Sequence, residues 1–470
     1  MTRLRSRPSL PTGALILAML ACGGCSESDP EEDKSLGSEP FGSGSRLRWM
    51  VLDGGQGAIS PTALFDTELN EICYVLPTAG GIDRCVPFSH GGGVYADAAC
   101  TEPGVPVEEA PGSCGAPSRF QTWVDYFDPA PGCSVGGVSV STYRRTDIIV
   151  PGYLPNEEGE CELAGVDAYT TELMAPSEFV VFEHRVQPLD DDLARELLVG
   201  DDGTYWASGG HDVVRDVWCN AMEANGSKFC FVTQAVNQES GSAFAFADAA
   251  CTEPAVSECE ENEAYVYARS YDCDPSMVVN ALGPPQDGYG TDTETCALVE
   301  EPVLPFVEEI PTTAFPKIDA IDFGIGVVRG TDWGRSGVRL GGSAQWTDTS
   351  RNAPCQLISA DGGSVCLPEH LRDSWFIDDT CTELAWRTLS DPCGTTTPDY
   401  VLTSEDSEME CGEDTPVLYE RGETYAGSLY SISYETGACE LADVVGDAFY
   451  LSGPEVPIED FPFFTSRMLD

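Results

Sequence analysis

Basic residues are scarce in this chain. Its 470 residues carry 24 Lys and Arg against 79 Asp and Glu, a formal net charge of −55. A surface so acidic repels phosphate backbones and anionic headgroups, which excludes nucleic acid as a partner and leaves cations and basic surfaces open. Histidine is rarer still, at His90, His184, His211 and His370. No Cys-x-x-Cys pair occurs beyond residue 25, so a zinc centre lacks its usual ligand pairs. His-Glu-x-x-His and Walker-type loops are also missing, which removes the zincin and phosphate-loop chemistries in their known forms. After the N-terminal region no stretch has the roughly 18 uninterrupted apolar residues of a membrane-spanning helix. Runs of strong helix formers are few. In their place, 48 glycines and 33 prolines punctuate short bursts of Val, Thr, Tyr, Phe and Trp, the texture of an all-β protein.

The N-terminus reads MTRLRSRPSLPTGALILAMLACGGC. Arg3, Arg5 and Arg7 form a basic region, and Ala14 to Ala21 form an apolar segment too short to span a bilayer. Residues 1–25 therefore read as a secretory signal, and the cysteines give it a lipoprotein character. Met19-Leu20-Ala21-Cys22 places a large apolar residue three before the cysteine, which makes Cys22 the expected lipidation site and Cys25 the alternative. An ordinary cleaved signal is the plain reading of the same segment. Residues 26–45, SESDPEEDKSLGSEPFGSGS, are acidic and rich in Gly and Ser, the composition of a flexible tether. The expectation is a body held to a membrane by lipid, in the cell envelope on the outer membrane or surface of a bacterium.

Eighteen cysteines follow, and they fall into three sets of six. Cys73, Cys85, Cys100, Cys114, Cys133 and Cys161 form the first. Cys219, Cys230, Cys251, Cys259, Cys273 and Cys296 form the second. Cys355, Cys366, Cys381, Cys393, Cys411 and Cys439 form the third. An even count in an exported protein indicates disulfides, and six cysteines allow 15 pairings. The first two of each set lie 11 or 12 residues apart and bracket CYVLPTAGGIDRC, CNAMEANGSKFC and CQLISADGGSVC, each readable as a β-hairpin. That spacing favours neighbour pairing throughout. The expected bonds are Cys73–Cys85, Cys100–Cys114 and Cys133–Cys161, then Cys219–Cys230, Cys251–Cys259 and Cys273–Cys296, then Cys355–Cys366, Cys381–Cys393 and Cys411–Cys439.

The cysteines reveal a repeat. Asp66, Asp212 and Asp348 each stand seven residues before the first cysteine of a set. Asp97, Asp248 and Asp378 each stand three before the third cysteine, and Thr-Glu follows it every time. The copies run over roughly 46–187, 188–317 and 318–470. Each suggests two four-stranded sheets, so three copies can close as a six-bladed β-propeller or stand as three consecutive small β domains. Only PLDDDLARELLVG (188–200) has a helical pattern, and it reads equally well as a strand start. The lipoprotein-like signal, the acidic tether and the pattern Asp…Cys…Gly…Cys…Asp-x-x-Cys-Thr together resemble the cysteine-rich repeat lipoproteins of unknown function that are abundant in myxobacteria. That resemblance implies no activity. The second copy departs from it most, with Phe229-Cys230-Phe231-Val232 where the others have Cys-Val-Pro or Cys-Leu-Pro.

Residues that recur with a repeat usually serve the repeat. The six aspartates are expected to fix turns by accepting backbone N–H bonds. No cofactor is expected. Ca²⁺ is the alternative, at acidic turns such as Asp53-Gly54-Gly55, Asp201-Asp202-Gly203 and Asp361-Gly362-Gly363, none of which has EF-hand spacing. A Ser-His-Asp site on His211 or His370 is conceivable, but a lone His is more often a surface or core residue. Trp49, Trp123, Trp346 and Trp375 sit inside strand patterns and read as core before they read as a sugar-stacking platform. The functional expectation is a surface or binding protein without catalysis, with a macromolecular or glycan ligand. The alternatives are an extracytoplasmic hydrolase acting on carbohydrate through paired carboxylates, and a calcium-stabilised adhesion module.

Overall fold

The computed structural model describes residues 39–469 apart from 79–80, 88–93, 108–118, 127–137, 157–158, 225–226, 233–234, 237–244, 258–264, 270–276, 293–294, 342–343, 361, 372–373, 389–396, 406–414, 434–437 and 443–447. Alternation drives the strands. In Leu47–Asp53 the side chains of Leu47, Trp49 and Val51 are buried, while Arg48, Met50 and Leu52 between them are half-exposed. The segment Leu193–Gly200, the only one with a helical pattern, is a strand as well. It pairs on both sides, with Phe182–Pro188 and Tyr205–Asp212, and those partners satisfy the amides that a helix would satisfy internally.

Three four-stranded antiparallel meanders form the body. The first comprises Leu47–Asp53, Ile59–Asp66, Glu71–Thr78 and Ile82–Pro87. The second comprises Leu193–Gly200, Tyr205–Asp212, Val217–Ala224 and Ser227–Val232. The third comprises Val328–Arg335, Gln345–Asp348, Ala353–Ala360 and Gly363–Pro368. A fifth strand joins each meander to the one before it. Lys317–Phe323 pairs with Ser227–Val232 on one edge and Val328–Arg335 on the other. Phe182–Pro188 pairs with Leu193–Gly200, and the adjoining Val181 bridges Arg84 of the first meander. Phe463–Met468, the last strand of the chain, pairs with both Gly363–Pro368 and Leu47–Asp53.

The pairing therefore returns to its starting strand. This closed circuit removes the exposed edges that three separate meanders would present. The three meanders meet edge to edge, in place of six separate radial sheets. Single-turn 3₁₀ helices, Pro176–Glu178, Thr312–Ala314 and Ile458–Asp460, introduce the three joining strands.

The second half of each copy forms an arm outside this circuit. Equivalent cross-strand pairs recur in the arms: Tyr153 with Leu163, Tyr289 with Leu298, and Tyr430 with Leu441. The same tyrosines face Tyr95, Phe246 and Phe376 across their other edge.

The disulfides follow two rules. First and second cysteines join within a hairpin, as Cys73–Cys85, Cys219–Cys230 and Cys355–Cys366. The two cysteines of the first pair are not directly opposite: Cys73 faces Pro87 and Cys85 faces Val75, so the bond runs diagonally over a Cα separation of 5.3 Å. The third cysteine joins the sixth, as Cys100–Cys161, Cys251–Cys296 and Cys381–Cys439. This corrects the neighbour pairings Cys100–Cys114, Cys133–Cys161, Cys251–Cys259, Cys273–Cys296, Cys381–Cys393 and Cys411–Cys439. The reason is the folded-back arm. Tyr153 pairs with both Tyr95 and Leu163, which brings the turn after Tyr95 beside the strand that starts at Cys161. Cys114, Cys133, Cys259, Cys273, Cys393 and Cys411 lie outside the described residues.

Two outcomes follow. Non-reducing peptide mapping is expected to recover Cys100 with Cys161, Cys251 with Cys296 and Cys381 with Cys439. In urea titrations of the oxidised protein, Phe464→Ala, at a fully buried side chain of the closing strand, should cost about 3–5 kcal/mol. Phe463→Ala next to it, at a side chain 44% exposed, should cost under about 1.5 kcal/mol.

Candidate binding cavity and the recurring aspartates

Asp66, Asp212 and Asp348 are buried at strand ends in the three meanders. Each carboxylate accepts N–H bonds from the turn that follows: Glu68 and Leu69 on Asp66, Val214 and Arg215 on Asp212, Ser350 and Arg351 on Asp348. Each also takes a guanidinium, from Arg46 (2.6 Å), Arg215 (2.6 Å) and Arg351 (2.7 Å). The same guanidinium donates onward to the 3₁₀ turn of its copy, at the carbonyls of Glu178, Ala314 and Asp460. A buried carboxylate thus ties the meander to the joining strand through one arginine. Recurrence singled out the acids but not the arginines. Asp-x-x-Arg at 212–215 and 348–351 is the available signal, and the first copy hides it by supplying Arg46 from the bend before Leu47–Asp53.

Asp97, Asp248 and Asp378 are turn-formers of a different kind. Asp97 accepts the amides of Thr101 (2.8 Å) and Glu102 (2.7 Å) and the hydroxyl of Thr101 (2.8 Å). Asp248 and Asp378 repeat the pattern with Thr252-Glu253 and Thr382-Glu383. The cysteine inside each turn has positive φ: 51° at Cys100, 52° at Cys251 and 53° at Cys381. This conformation disfavours a residue with a Cβ, and the aspartate bonds and the disulfide hold it. Backbone N–H bonds hold Asp97 and Asp248 below the usual carboxylate range, and the Thr380 hydroxyl and the Glu383 amide do the same for Asp378. All these oxygens face donors, whereas Ca²⁺ needs a converging shell of oxygens.

The other candidates are dispersed. Asp53 accepts Gly55 N–H and pairs with Arg467. Asp202 gathers the amides of Arg46, Leu47 and Thr204. His211 has a carboxylate on each ring nitrogen, Glu196 at 2.9 Å and Asp216 at 3.1 Å, so neither nitrogen serves a serine. His370 Nδ1 donates to the Pro368 carbonyl, and His184 sits exposed against Asp83. Trp123 lies against Tyr95, and Trp375 packs on the core of the third arm. Cys22, Cys25, His90 and Asp361 lie outside the described residues. Among the described residues no group of three His, Cys, Asp or Glu could hold a metal ion.

One cavity draws on all three meanders. Its volume is about 1080 Å³. Trp49 comes from the first, Trp206 from the second and Trp346 from the third, joined by Phe41 and Phe323. Aromatic edges hold these walls: Trp49 meets Trp206 at 6.0 Å between centroids, and Trp346 meets Phe323 at 5.4 Å. Polar groups interrupt the apolar wall, Ser208, Asp332 and Arg339 among them. The Ser208 Oγ is buried with no hydrogen-bond partner. Asp332 is 3% exposed and accepts the Trp333 amide at 2.7 Å, and burial raises its carboxyl above the usual range. Arg339 is buried, lies 4.1 Å over the Phe323 ring and pairs with the Glu39 carboxylate. Sequence patterns singled out Trp49 and Trp346 here. They missed Trp206, Ser208, Asp332 and Arg339, none of which recurs with the repeat.

The chain belongs to a family of unknown function (DUF7481), whose model matches residues 15–461. No curated protein and no solved structure matches it.

The carboxylates predict opposite pH responses. Asp97, Asp248 and Asp378 have lowered folded values, so their contribution to stability is present above the ordinary 3.8 and is lost as pH falls through the folded value. Asp97→Asn should therefore lower the melting temperature at pH 7, and by progressively less as the pH falls below 3.8. Asp332 has a raised folded value, so its contribution is present below 3.8 and lost as pH rises. Asp332→Asn should raise the melting temperature at pH 7. Thermal melts of both variants across pH 2–8 check the two signs.

Proposed function

We propose that this member of a family without an assigned activity is a lipid-anchored cell-envelope binding protein that takes a small ligand into the cavity between its three meanders. The cavity carries the reading. A 1080 Å³ space walled by three tryptophans and holding a buried hydroxyl with no partner has the composition of a ligand site: mostly apolar, with a few placed polar groups. It costs stability to keep such a space and such an unpaired oxygen in a core, and bound ligand offsets that cost.

The surroundings agree with export. Six disulfides among the described residues belong in an oxidising compartment. No helix among the described residues is long and apolar enough to cross a membrane. Lipid on Cys22, with Cys25 as the alternative, is the attachment that the N-terminal sequence supports.

Binding is favoured over hydrolysis. A glycosidase needs two carboxyl groups across its substrate, and Asp332 is the sole carboxylate on this wall among the described residues. The calcium-adhesion reading gains nothing from the recurring aspartates, whose oxygens are engaged by turn amides and hydroxyls.

Titration of a library of small metabolites and oligosaccharides should find a compound that raises the melting midpoint, because a ligand of the folded state alone must do so. Trp206→Ala should abolish that rise. A rise that survives Trp206→Ala would place the ligand elsewhere. In cells fed labelled fatty acid, label should be lost in Cys22→Ser and kept in Cys25→Ser.

A further inference from the structure

The Arg339 guanidinium is the one cation that the cavity wall presents among the described residues, and its partner is unusual. Glu39 lies within residues 26–45, read from composition as a flexible tether, but from here on the chain is ordered against the body, with Phe41–Gly42 paired to Tyr205 and Trp206. The backbone of that segment is firmly held: Ala207 N–H donates to the Pro40 carbonyl at 2.6 Å, and the buried Arg195 donates to the Glu39 carbonyl at 2.9 Å. The Glu39 side chain, by contrast, is 66% exposed while Arg339 is 8% exposed. An ion pair with one partner so open to water contributes little, so a dissolved carboxylate can replace it.

The geometry points to a ligand class: we propose that the cavity takes a small organic carboxylate with an apolar or aromatic body, its carboxylate seated on Arg339 in competition with the Glu39 carboxylate. This rests on the cavity being the ligand site. The guanidinium stacked on Phe323 offers a planar fork, the shape that a carboxylate matches with two parallel hydrogen bonds. Ser208 Oγ–H supplies a further donor with no protein acceptor. Burial raises the Asp332 carboxyl above its ordinary range. Trp49, Trp206 and Trp346 surround the body of the ligand. An amine would instead meet Arg339. A polyanion would be repelled by a chain of net charge −55, which leaves a single carboxylate on an apolar body as the best match. Glu39 is then an internal stand-in for the ligand.

The test uses the full oxidised chain, its tryptophan fluorescence and three probes of one skeleton: 3-phenylpropanoate, 3-phenylpropanamide and 3-phenylpropylamine. The acid is expected to bind at least about tenfold more tightly than the amide or the amine. Glu39→Gln removes the competitor and should tighten the acid by about two- to fivefold without changing the amide. Arg339→Lys keeps the charge but loses the fork and should erase the preference for the acid. Should Arg339→Lys fail to fold, the exposed Glu39→Gln still decides the matter. Equal binding of acid and amide, preferred binding of the amine, or no gain in Glu39→Gln would overturn the carboxylate assignment and leave the cavity reading standing. No fluorescence change with any of the three probes would overturn both.

Discussion

Unpaired strand edges are costly, and this fold is organised around removing them. Each meander alone would expose two edges of N–H and C=O groups. The three joining strands pair one meander to the next, and the chain's last strand, Phe463–Met468, carries the pairing back to Leu47–Asp53. Residues far apart in sequence thereby become neighbours. The aromatic clusters inside the body depend on that closure, since Phe464 from the final strand packs on Trp346. The cavity depends on it too, because its walls exist only when all three meanders are present.

Closure needs each joining strand held at the right height, and the buried aspartates supply this. Asp66, Asp212 and Asp348 each hold an arginine that reaches a 3₁₀ carbonyl just before a joining strand. Removing one partner of such a buried pair strands the other, so the clamp is worth more intact than its net attraction suggests. The arms are stapled separately. There the cysteine of the Asp-x-x-Cys turn is held in positive φ by the aspartate bonds and tied to the strand that carries the sixth cysteine.

The two classes of aspartate differ in their partners. Six recur and are saturated by donors from their own copies. Asp332 occurs once, is buried, and accepts a single amide. Ser208 and Arg339 likewise occur once. A repeat maintains its fold with what every copy shares, and a cavity formed where unlike copies meet is lined by what they do not share. The absence of periodicity at these residues is the reason pattern reading passed over them.

Local chemistry was legible from the residues alone. Val, Thr and aromatic bursts between Gly and Pro specify strands, because β-branched and aromatic side chains pack on a pleated surface while Gly and Pro end it. Cys73 and Cys85 sit close in sequence across a hairpin, so their pairing follows from the hairpin itself. Asp97 holds the amides of the next few residues, which makes its role local as well. The rest required the folded chain. Cys100 meets Cys161, 61 residues away, because an arm doubles back, and no spacing rule encodes that return. Ring closure, the arginine clamps and the cavity share this character. Each depends on which strand edges find one another, a choice made by the packing of the whole body and invisible in any single stretch.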